Sequence, residues 1–364
     1  MSKYWNNRIK NISPYVPGEQ PRDRKFIKLN TNENPYPPSP KVIEAIKKAA
    51  DGDLRLYPDP GCTAFRETVA GRYGAEPGQV FAGNGSDEVL AFAFGAFFDG
   101  SNTAGAESAS ILFPDISYSF YPVYAGLWGI PFRTIPLSGD FSINCDEYKT
   151  PSGGVVFPNP NAPTGKPVSL ADILSLAEYL ESQGRILLVD EAYTAYGAES
   201  AVPCIKEHPN LLTVHTFSKS ESLAGLRLGF AIGSEELIEG LCRVRDSFNS
   251  YTVDRLALAG GIAAVTDRAY YDEINGKVTA TRERIAQALR SLGFSLLPSA
   301  ANFLFIRASG IGGGGFFAAL RERGILVRHF NRDRIADYLR VSIGTDEEMD
   351  VFLEACREIA ANWQ

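Results

Sequence analysis

Short apolar runs alternate with amphipathic stretches from residue 39 to about residue 250. The runs are short, rich in branched apolar residues and bounded by turn residues, so they are predicted to be buried strands. They lie at 110–114, 131–136, 154–157, 185–189, 210–215 and 226–232. Helices are predicted at 39–50, up to residue 73, at 89–98 and at 169–180. This rhythm predicts the fold class α/β, with a mostly parallel, doubly wound sheet.

The pattern changes after about residue 250, where a long helical region over 254–291 begins. Shorter elements of both kinds follow and predict a smaller α+β domain: strands at 301–306, 324–328 and 338–343, a glycine loop at 312–315, and helices ending at 323 and 361. Residues 1–28 are polar and punctuated by proline, which indicates an arm lying on the body or on a partner subunit. The expected organisation is an arm (1–28), a large α/β domain (29–250) and a small α+β domain (251–364).

Composition and charge narrow the range of functions. A net charge of −7 in 364 residues disfavours a nucleic-acid partner, so an anionic ligand has to be held by local arginines. The five cysteines form no CxxC pair, which argues against a disulfide framework or a zinc site, and we expect no metal. No apolar run reaches the ~18 residues of a membrane span, and the N-terminus lacks a signal-peptide core. We therefore expect a cytoplasmic protein.

The clearest candidate chemistry lies in the stretch 216–227, where Lys219 stands among small and hydroxyl-bearing residues after a predicted buried strand. An ammonium group is costly to desolvate at such a place, which makes the neutral amine available as a nucleophile. The obvious use of that amine is a covalent bond with an aldehyde cofactor. The alternative, a lysine in a surface loop, is the commoner meaning of Ser-Lys-Ser in general.

A second stretch, 83–88, combines glycines with the start of a helix. Gly85 allows a ligand to approach the backbone, and the N-terminus of the following helix favours an anion. Simple capping of the helix by Ser86 and Asp87 is an equal alternative. The carboxylates of Asp87 and Glu88 would repel a phosphate, so we expect them to point away and the backbone N–H groups to bind it.

A pyridoxal phosphate enzyme needs four groups from its protein: an amine, an acid at the pyridine nitrogen, a phosphate cup and a group that holds the substrate carboxylate. Lys219 suits the first role, and Asp190, at the end of a predicted strand, suits the second. The glycine turn with Ser218 and Arg227 suits the third, and an arginine of the last domain suits the fourth. Asp190 taken alone would more often be a helix cap or a metal ligand.

A set of segments spread over nearly the whole chain resembles the fold-type-I pyridoxal phosphate aminotransferases, whose fold is like that of aspartate aminotransferase. Within them, the segments resemble the histidinol-phosphate aminotransferase family. They are residues 29–35, 57–58, 84–88, 163–165, 190–193, 218–219 with 224–227, and 339–345. The resemblance implies pyridoxal 5'-phosphate as cofactor and transamination between histidinol phosphate and 2-oxoglutarate, a step of histidine biosynthesis.

The resemblance also implies a role for each matching residue. Lys219 corresponds to the lysine that bonds the cofactor and then moves the substrate's proton. Asp190 corresponds to the partner of the pyridinium nitrogen, and Tyr193 to the phenol at the ring hydroxyl. The other cofactor contacts match Tyr118, stacked on the ring, and a phosphate cup of Gly85, Ser86, Asp87, Thr216, Ser218 and Arg227. For Tyr118, an ordinary core tyrosine is the alternative.

Further matches concern the partner subunit and the substrate. Tyr57 resembles a residue that reaches the cofactor phosphate across a dimer interface, which implies a homodimer with shared sites. Arg340 resembles the arginine that holds the α-carboxylate in a bidentate pair. Arg328 and Tyr15 match positions associated with the phosphate end of the substrate, although a strand arginine such as Arg328 is otherwise usually a surface residue.

One position departs from the family pattern. The family often has asparagine directly before Pro-Thr-Gly, where it bonds the ring hydroxyl, whereas this chain has Ala162 there, preceded by Asn161. Either Asn161 turns inward to make the contact, or Tyr193 makes it alone. We expect the first.

Three other functions fit the same residues. Decarboxylation of threonine phosphate and broad aromatic or aspartate transamination are alternatives within the same fold. A regulatory protein that kept the fold without catalysis is an alternative of another class. The intact lysine, aspartate and phosphate cup argue against this last one.

Overall fold

The computed structural model describes residues 2–21, 24–99, 110–308 and 310–361. Its helices are α1 (Asn7–Asn11), α2 (Pro40–Ala49), α3 (Thr63–Tyr73), α4 (Gly85–Phe97), α5 (Tyr121–Trp128), α6 (Leu170–Ser182), α7 (Glu235–Phe248), α8 (Arg255–Thr266), α9 (Arg268–Ser291), α10 (Gly313–Glu322) and α11 (Asp346–Ala361). Its strands are β1 (Ile27–Lys28), β2 (Val80–Gly83), β3 (Ile111–Pro114), β4 (Phe132–Ile135), β5 (Gly154–Pro158), β6 (Leu187–Asp190), β7 (Leu211–Thr216), β8 (Gly229–Ile232), β9 (Ser295–Leu296), β10 (Phe303–Arg307), β11 (Ile325–Leu326), β12 (Arg328–His329) and β13 (Tyr338–Ser342).

The large sheet has the strand order β2-β8-β7-β6-β5-β3-β4. Its neighbouring strands are parallel except at β8, which runs antiparallel to both β7 and β2. The prediction of a mostly parallel α/β sheet is therefore confirmed. The carboxyl ends of β2, β5, β6 and β7 meet at one edge, which is where ligands bind in open sheets of this kind.

Successive residues of the central strands supply two apolar cores, one on each face of the large sheet. In β6, for example, Leu187 and Val189 belong to one cluster of buried side chains, while Leu188 belongs to the other. This is the period-2 alternation of a strand that is covered on both sides by helices. The apolar helix α4 lies in the second cluster with Val89, Leu90 and Phe94 fully buried.

The C-terminal part forms an antiparallel sheet of order β12-β13-β10-β9, covered by α9, α10 and α11. The end of the predicted arm packs beside this sheet: β1 pairs in parallel with β11 in a separate two-stranded sheet, and Leu29 is buried in the apolar cluster of the C-terminal part. Helix α8 instead packs against α2 and α3 of the large domain. The division of the chain at residues 28 and 250 stays a prediction.

Two local predictions need correction. The expected loop at 312–315 is the first turn of α10, which starts at Gly313 with Gly312 as its cap. A Cβ at Gly313 would lie 2.3 Å from the carbonyl oxygen of Ala336, so close packing explains that glycine. The strand expected at 226–232 starts only at Gly229, because residues 224–226 form a 3₁₀ turn. The helices α1, α5 and α7 and the strands β1, β2 and β9 were not expected.

Candidate active site

A cavity of about 240 Å³ lies at the carboxyl edge of the large sheet, and residues of the N-terminal segment and of the C-terminal antiparallel sheet also line it. Twelve of the residues singled out from the sequence line it: Tyr15, Ser86, Asp87, Tyr118, Asp190, Tyr193, Thr216, Ser218, Lys219, Arg227, Arg328 and Arg340. Gly85, Tyr57 and Asn161 do not line it. The convergence of these groups in one cavity makes it the candidate active site.

Lys219 lies in the loop between β7 and β8. Its Nζ donates a hydrogen bond to the carbonyl oxygen of Thr31 at 3.0 Å and lies 5.8 Å from the centre of the Tyr193 ring. A carbonyl oxygen and an aromatic ring stabilise the ammonium without pairing it with a carboxylate. The amine is therefore held in place while staying open toward the cavity that it lines.

Asp190 ends strand β6 and is buried. Its carboxylate accepts hydrogen bonds from the backbone N–H of Ala192 and from the hydroxyl of Tyr121, each at 3.2 Å. Burial raises the pKa of Asp190 to about 7, since few groups compensate its charge. A cationic N–H group in the cavity would favour the ionised form of this carboxyl. Tyr121, which orients Asp190, was not found from the sequence.

The N-terminus of α4 and the side chain of Arg227 form an anion-binding cup. Gly85 has a φ of +79°, and a Cβ there would lie 2.6 Å from a guanidinium nitrogen of Arg227. The hydroxyl of Ser218 accepts a hydrogen bond from Arg227 at 3.4 Å, and the Ser218 N–H donates to the Thr216 hydroxyl at 3.1 Å. Glycine at 85 is thus required both by the backbone conformation and by the approach of the guanidinium.

The carboxylate of Asp87 does not point away from the cup, contrary to expectation. It accepts a hydrogen bond from Arg227 at 2.8 Å and one from the Tyr118 hydroxyl at 2.6 Å. Glu88 does point elsewhere and bonds the N–H of Asn84 at 2.7 Å. The attraction between the Asp87 carboxylate and the Arg227 guanidinium explains why Asp87 faces the cup. The hydrogen bond from Tyr118 to the same carboxylate fixes the Tyr118 ring beside the cup.

Two arginines stand side by side at the small-domain wall of the cavity. Arg328 and Arg340 are direct cross-strand partners in β12 and β13. Arg340 is partly buried, and the loss of solvent lowers its pKa. It donates to the Asn30 carbonyl at 3.0 Å, and its Nε has no hydrogen-bond partner among the residues that the structure describes. Arg328 donates to the Val16 carbonyl at 3.3 Å. Like charges directly opposite in a sheet repel, so this pair is suited to bind an anion.

The arm closes the cavity from outside through Tyr15. The Tyr15 ring stacks on Phe120 with ring centres 4.3 Å apart, and the following residue, Val16, accepts the hydrogen bond from Arg328. Residues 15 and 16 therefore link Phe120, just before α5, to Arg328 in β12, beside the two arginines.

The side chain of Asn161 does not turn toward the cavity, and its neighbour Ala162 lines the cavity instead. The Asn161 amide nitrogen donates to the Ile116 carbonyl and to the Thr164 hydroxyl, each at 3.0 Å. These two contacts, one to a separate segment at Ile116 and one within the turn at Thr164, occupy both amide protons, which corrects the expectation that Asn161 would serve a ring hydroxyl. Tyr193 does line the cavity, and its hydroxyl accepts a hydrogen bond from the Asn32 amide at 2.9 Å. Asn32 was also missed from the sequence as a site residue.

Tyr57 lies outside the cavity of its own chain. Its side chain is 78% exposed, and its ring stacks on Tyr251 with ring centres 4.5 Å apart. A role for Tyr57 at an active site therefore requires a second subunit.

The donor set of the cavity fits pyridoxal phosphate. An amine, a buried carboxylate, a phenol and an anion cup with an arginine face one space, as a phosphorylated pyridine aldehyde requires. Glycine at position 85 lets the Arg227 guanidinium lie against the N-terminus of α4, and a helix N-terminus beside a guanidinium suits a phosphate. Within the residues that the structure describes, no group of three or more histidine, cysteine or acidic side chains could hold a metal ion.

Comparison with known proteins points the same way. The family model described as aminotransferase class I and II matches residues 24–356. A histidinol-phosphate aminotransferase of Clostridium acetobutylicum is 53% identical over 99% of this chain and 100% of its own length. Proteins of the same name from Chromohalobacter salexigens and Aromatoleum aromaticum are 52% and 51% identical, each over 99% of both chains.

The fold is also shared with solved structures. The histidinol-phosphate aminotransferase of Sinorhizobium meliloti in complex with pyridoxal-5'-phosphate superposes with a TM-score of 0.86, at 24% identity over 100% of this chain and 99% of the other. Within the described parts of the chain, no helix is long and apolar enough to cross a membrane.

Proposed function

The chain belongs to the aminotransferase class I and II family, and from this premise we propose that it transfers the amino group of L-histidinol phosphate to 2-oxoglutarate, a step of histidine biosynthesis. Its cofactor is pyridoxal phosphate, on which this family depends. The names of relatives about 50% identical over the full length support the substrate.

The facing arginines Arg328 and Arg340 carry the proposal. In histidinol phosphate, a phosphate ester stands beside the amine-bearing carbon, where an amino acid has its carboxylate. A phosphate dianion offers two charges and three oxygens, enough to pair with both guanidiniums and relieve their repulsion. A carboxylate has one charge and pairs fully with one of them. The pair therefore favours a phosphorylated amine over an ordinary amino acid, while still accepting glutamate and 2-oxoglutarate.

Each remaining residue has a task that follows from its position. When bound, pyridoxal phosphate supplies an aldehyde and an electron-withdrawing ring. The amine of Lys219 holds the cofactor covalently and then moves a proton at the substrate's α-carbon. The buried carboxylate of Asp190 keeps the ring nitrogen protonated. The phenol of Tyr193 would donate to the ring hydroxyl, and the ring of Tyr118 would lie against the pyridine.

The phosphate of the cofactor is held at the other end of the cavity. The N–H groups of Ser86 and Asp87 at the start of α4, the hydroxyl of Ser218 and the guanidinium of Arg227 are its proposed ligands. Because Arg227 already pairs with Asp87, it is held in place before the cofactor arrives. This reduces the entropy cost of ordering the arginine on binding.

The substrate is tested by two assays on the same protein preparation. We expect glutamate to form from histidinol phosphate and 2-oxoglutarate. Threonine phosphate, offered in parallel, is expected to release no carbon dioxide. Release of carbon dioxide without amino transfer would assign the protein to the decarboxylases of this fold instead.

The variant Arg328→Gln tests the phosphate assignment. Because a charge-assisted hydrogen bond contributes about 1.5–3 kcal/mol, we expect kcat/KM for histidinol phosphate to fall about 10²-fold. The reaction with glutamate, whose carboxylate can rely on Arg340, should fall much less. Steady-state kinetics with both donors measure this. Arg307→Gln, at an exposed arginine outside the cavity, is the matched control. Equal losses with both donors would contradict a phosphate role for Arg328.

We also propose a cytoplasmic homodimer in which Tyr57 completes the site of the partner subunit. Apolar side chains exposed on one chain support this: Leu54, Leu56, Tyr57, Phe248 and Tyr251 are each more than one third exposed. Exposed apolar clusters of this kind mark protein contacts. Light scattering should give twice the 39.7 kDa of the chain.

Mixed dimers test the shared site. Tyr57→Ala should lower cofactor affinity about tenfold, the loss of one hydrogen bond of roughly 1.4 kcal/mol to a charged group. In a co-expressed mixture with Lys219→Ala, the hybrid dimer has one site with both native residues. The mixture should therefore be more active at limiting cofactor than either variant alone. Activity equal to the average of the two would place Tyr57 outside the site.

A further inference from the structure

Three consecutive residues of the arm-to-body segment reach three functional groups of the cavity. The carbonyl oxygen of Asn30 accepts a hydrogen bond from Arg340, and that of Thr31 accepts one from Lys219, each at 3.0 Å. The side-chain amide of Asn32 donates to the hydroxyl of Tyr193 at 2.9 Å. The first two contacts use the backbone, so only the third depends on the identity of the side chain.

Asn32 is buried and has a left-handed backbone with φ 56°. Its N–H donates to the Ser342 hydroxyl at 2.8 Å, and that hydroxyl donates its own proton to the Asn32 side-chain oxygen at 2.9 Å. Its carbonyl oxygen accepts from Asn302 at 2.9 Å. Because Ser342 engages the amide oxygen, the amide nitrogen is the group that faces Tyr193. The direction of the hydrogen bond to Tyr193 therefore follows from the surrounding network.

This direction determines what Tyr193 can do. Since its oxygen accepts from Asn32, the phenol's own proton is left to donate to another acceptor in the cavity. The asparagine that would otherwise serve the cofactor's ring hydroxyl is replaced by Ala162, and the amide protons of Asn161 are used elsewhere. In this chain the phenol is therefore the side-chain donor left for that oxygen at this wall.

We propose that Asn32 is a positioning residue that orients the Tyr193 phenol, so that its proton points at the cofactor's ring oxygen and compensates for the alanine at position 162. The proposal rests on the proposed function, because it requires pyridoxal phosphate in the cavity. It adds to that function a residue that acts through Tyr193 and not on the substrate.

The expected effect is visible in the absorbance of the cofactor. A proton donated to the ring oxygen stabilises its negative charge, so the nitrogen of the cofactor–lysine bond loses its proton at lower pH. In Asn32→Asp, the carboxylate keeps an acceptor for Ser342 and tolerates the left-handed backbone, but it takes the phenol's proton for itself. The midpoint of the pH titration of the absorbance should rise by about one pH unit, the scale of one such hydrogen bond.

A double-mutant cycle separates this effect from the added charge of the aspartate. With Tyr193→Phe as background, Asn32→Asp should raise the midpoint by less than half as much, because no phenol remains to be turned. Ser342→Ala, which removes the hydroxyl that fixes the orientation of the Asn32 amide, should raise the midpoint in the same direction but by less than Asn32→Asp, because the amide can then face Tyr193 with either its nitrogen or its oxygen. Thermal melting of each loaded variant checks that it is folded.

The outcomes are distinct. An unchanged midpoint in Asn32→Asp, or an equal rise with and without the phenol, overturns the proposal while leaving the proposed function intact. A wild-type protein whose absorbance does not respond to added pyridoxal phosphate overturns both.

Discussion

Lys219→Ala is expected to abolish amino transfer, with a fall in kcat of about 10⁴-fold or more, because the amine is both the covalent anchor and the proton carrier. The wild-type protein should be yellow, and borohydride should fix the cofactor to it irreversibly. The variant should bind pyridoxal phosphate reversibly in the anion cup and should release it on dialysis after the same treatment. Mass spectrometry of the reduced proteins distinguishes the two.

Lys166→Ala is the matched control for this experiment. Lys166 forms an ion pair with Asp140 at 2.6 Å and does not line the cavity, so its loss should leave both cofactor and turnover unchanged. Residual activity of Lys219→Ala within tenfold of the wild type would rule out the proposed role of the amine.

Asp190→Asn has the second-largest expected effect. Asparagine is nearly the same size and can still bond Tyr121 and Ala192, but it cannot hold a proton on the ring nitrogen. We expect kcat to fall about 10²–10⁴-fold, the range of a lost acid–base partner, with smaller changes in KM. Pre-steady-state absorbance, which follows the first half of the transfer, measures the chemical step directly.

The same variant should stabilise the cofactor-free protein at high pH. Burial raises the pKa of Asp190 to about 7 in the folded protein, whereas its ordinary value is 3.8. The contribution of this carboxyl to the free energy of unfolding is therefore fully present below pH 3.8 and is lost as the pH rises through 7. Asparagine does not ionise, so the melting temperature of the variant relative to wild type should increase from pH 5 to pH 8. A difference that stays constant over this range would contradict the raised pKa.

Glu191→Gln serves as control for both readouts. Glu191 is also buried with a pKa raised to about 7, but its carboxylate bonds Ser200 and Ala201 and does not line the cavity. It should reproduce the stability change without the loss of turnover. A matched pair of buried carboxyls thus separates catalysis from the cost of burying a charge.

Much of the site was predictable because its chemistry lies where strands end. Asp190 is the last residue of β6, and Lys219 follows β7 by three positions. In a parallel sheet such ends converge, so strand prediction alone brings the acid and the amine to one edge. The glycine turn at Gly85 lies at the same edge, because β2 runs in the same direction as β7, with the antiparallel strand β8 between them.

Contacts between distant segments were not predictable in this way. Tyr121 reaches Asp190 from a helix that the sequence pattern did not indicate, and Asn32 reaches Tyr193 across 161 positions. In the sequence, Tyr121 looks like any core tyrosine and Asn32 like any turn asparagine. Their hydrogen-bond partners follow only from the packing of the folded chain. The roles assigned by resemblance to individual residues remain predictions until the variants are measured.

Two expectations were wrong because the side chain binds a partner from a distant segment of the chain. Asn161 was expected to face the cavity, but its amide donates to the carbonyl of Ile116, 45 positions earlier in the chain, which a buried acceptor needs. Asp87 was expected to avoid the anion cup, but the nearby Arg227 attracts it. In both cases the sequence gives the type of the residue but not the group that its side chain binds in the folded chain.

The bond between Asn32 and Ser342 joins residues 310 positions apart in the chain. During synthesis on the ribosome, Lys219, Asp190 and the glycine turn are all made before β13 emerges. Strand β13 carries Arg340 and Ser342, which bind Asn30 and Asn32. This side of the cavity can therefore form only after β13 has been synthesised. The complete cofactor site therefore forms only after the whole chain has been synthesised. A nascent or C-terminally truncated chain would lack one wall of the cavity.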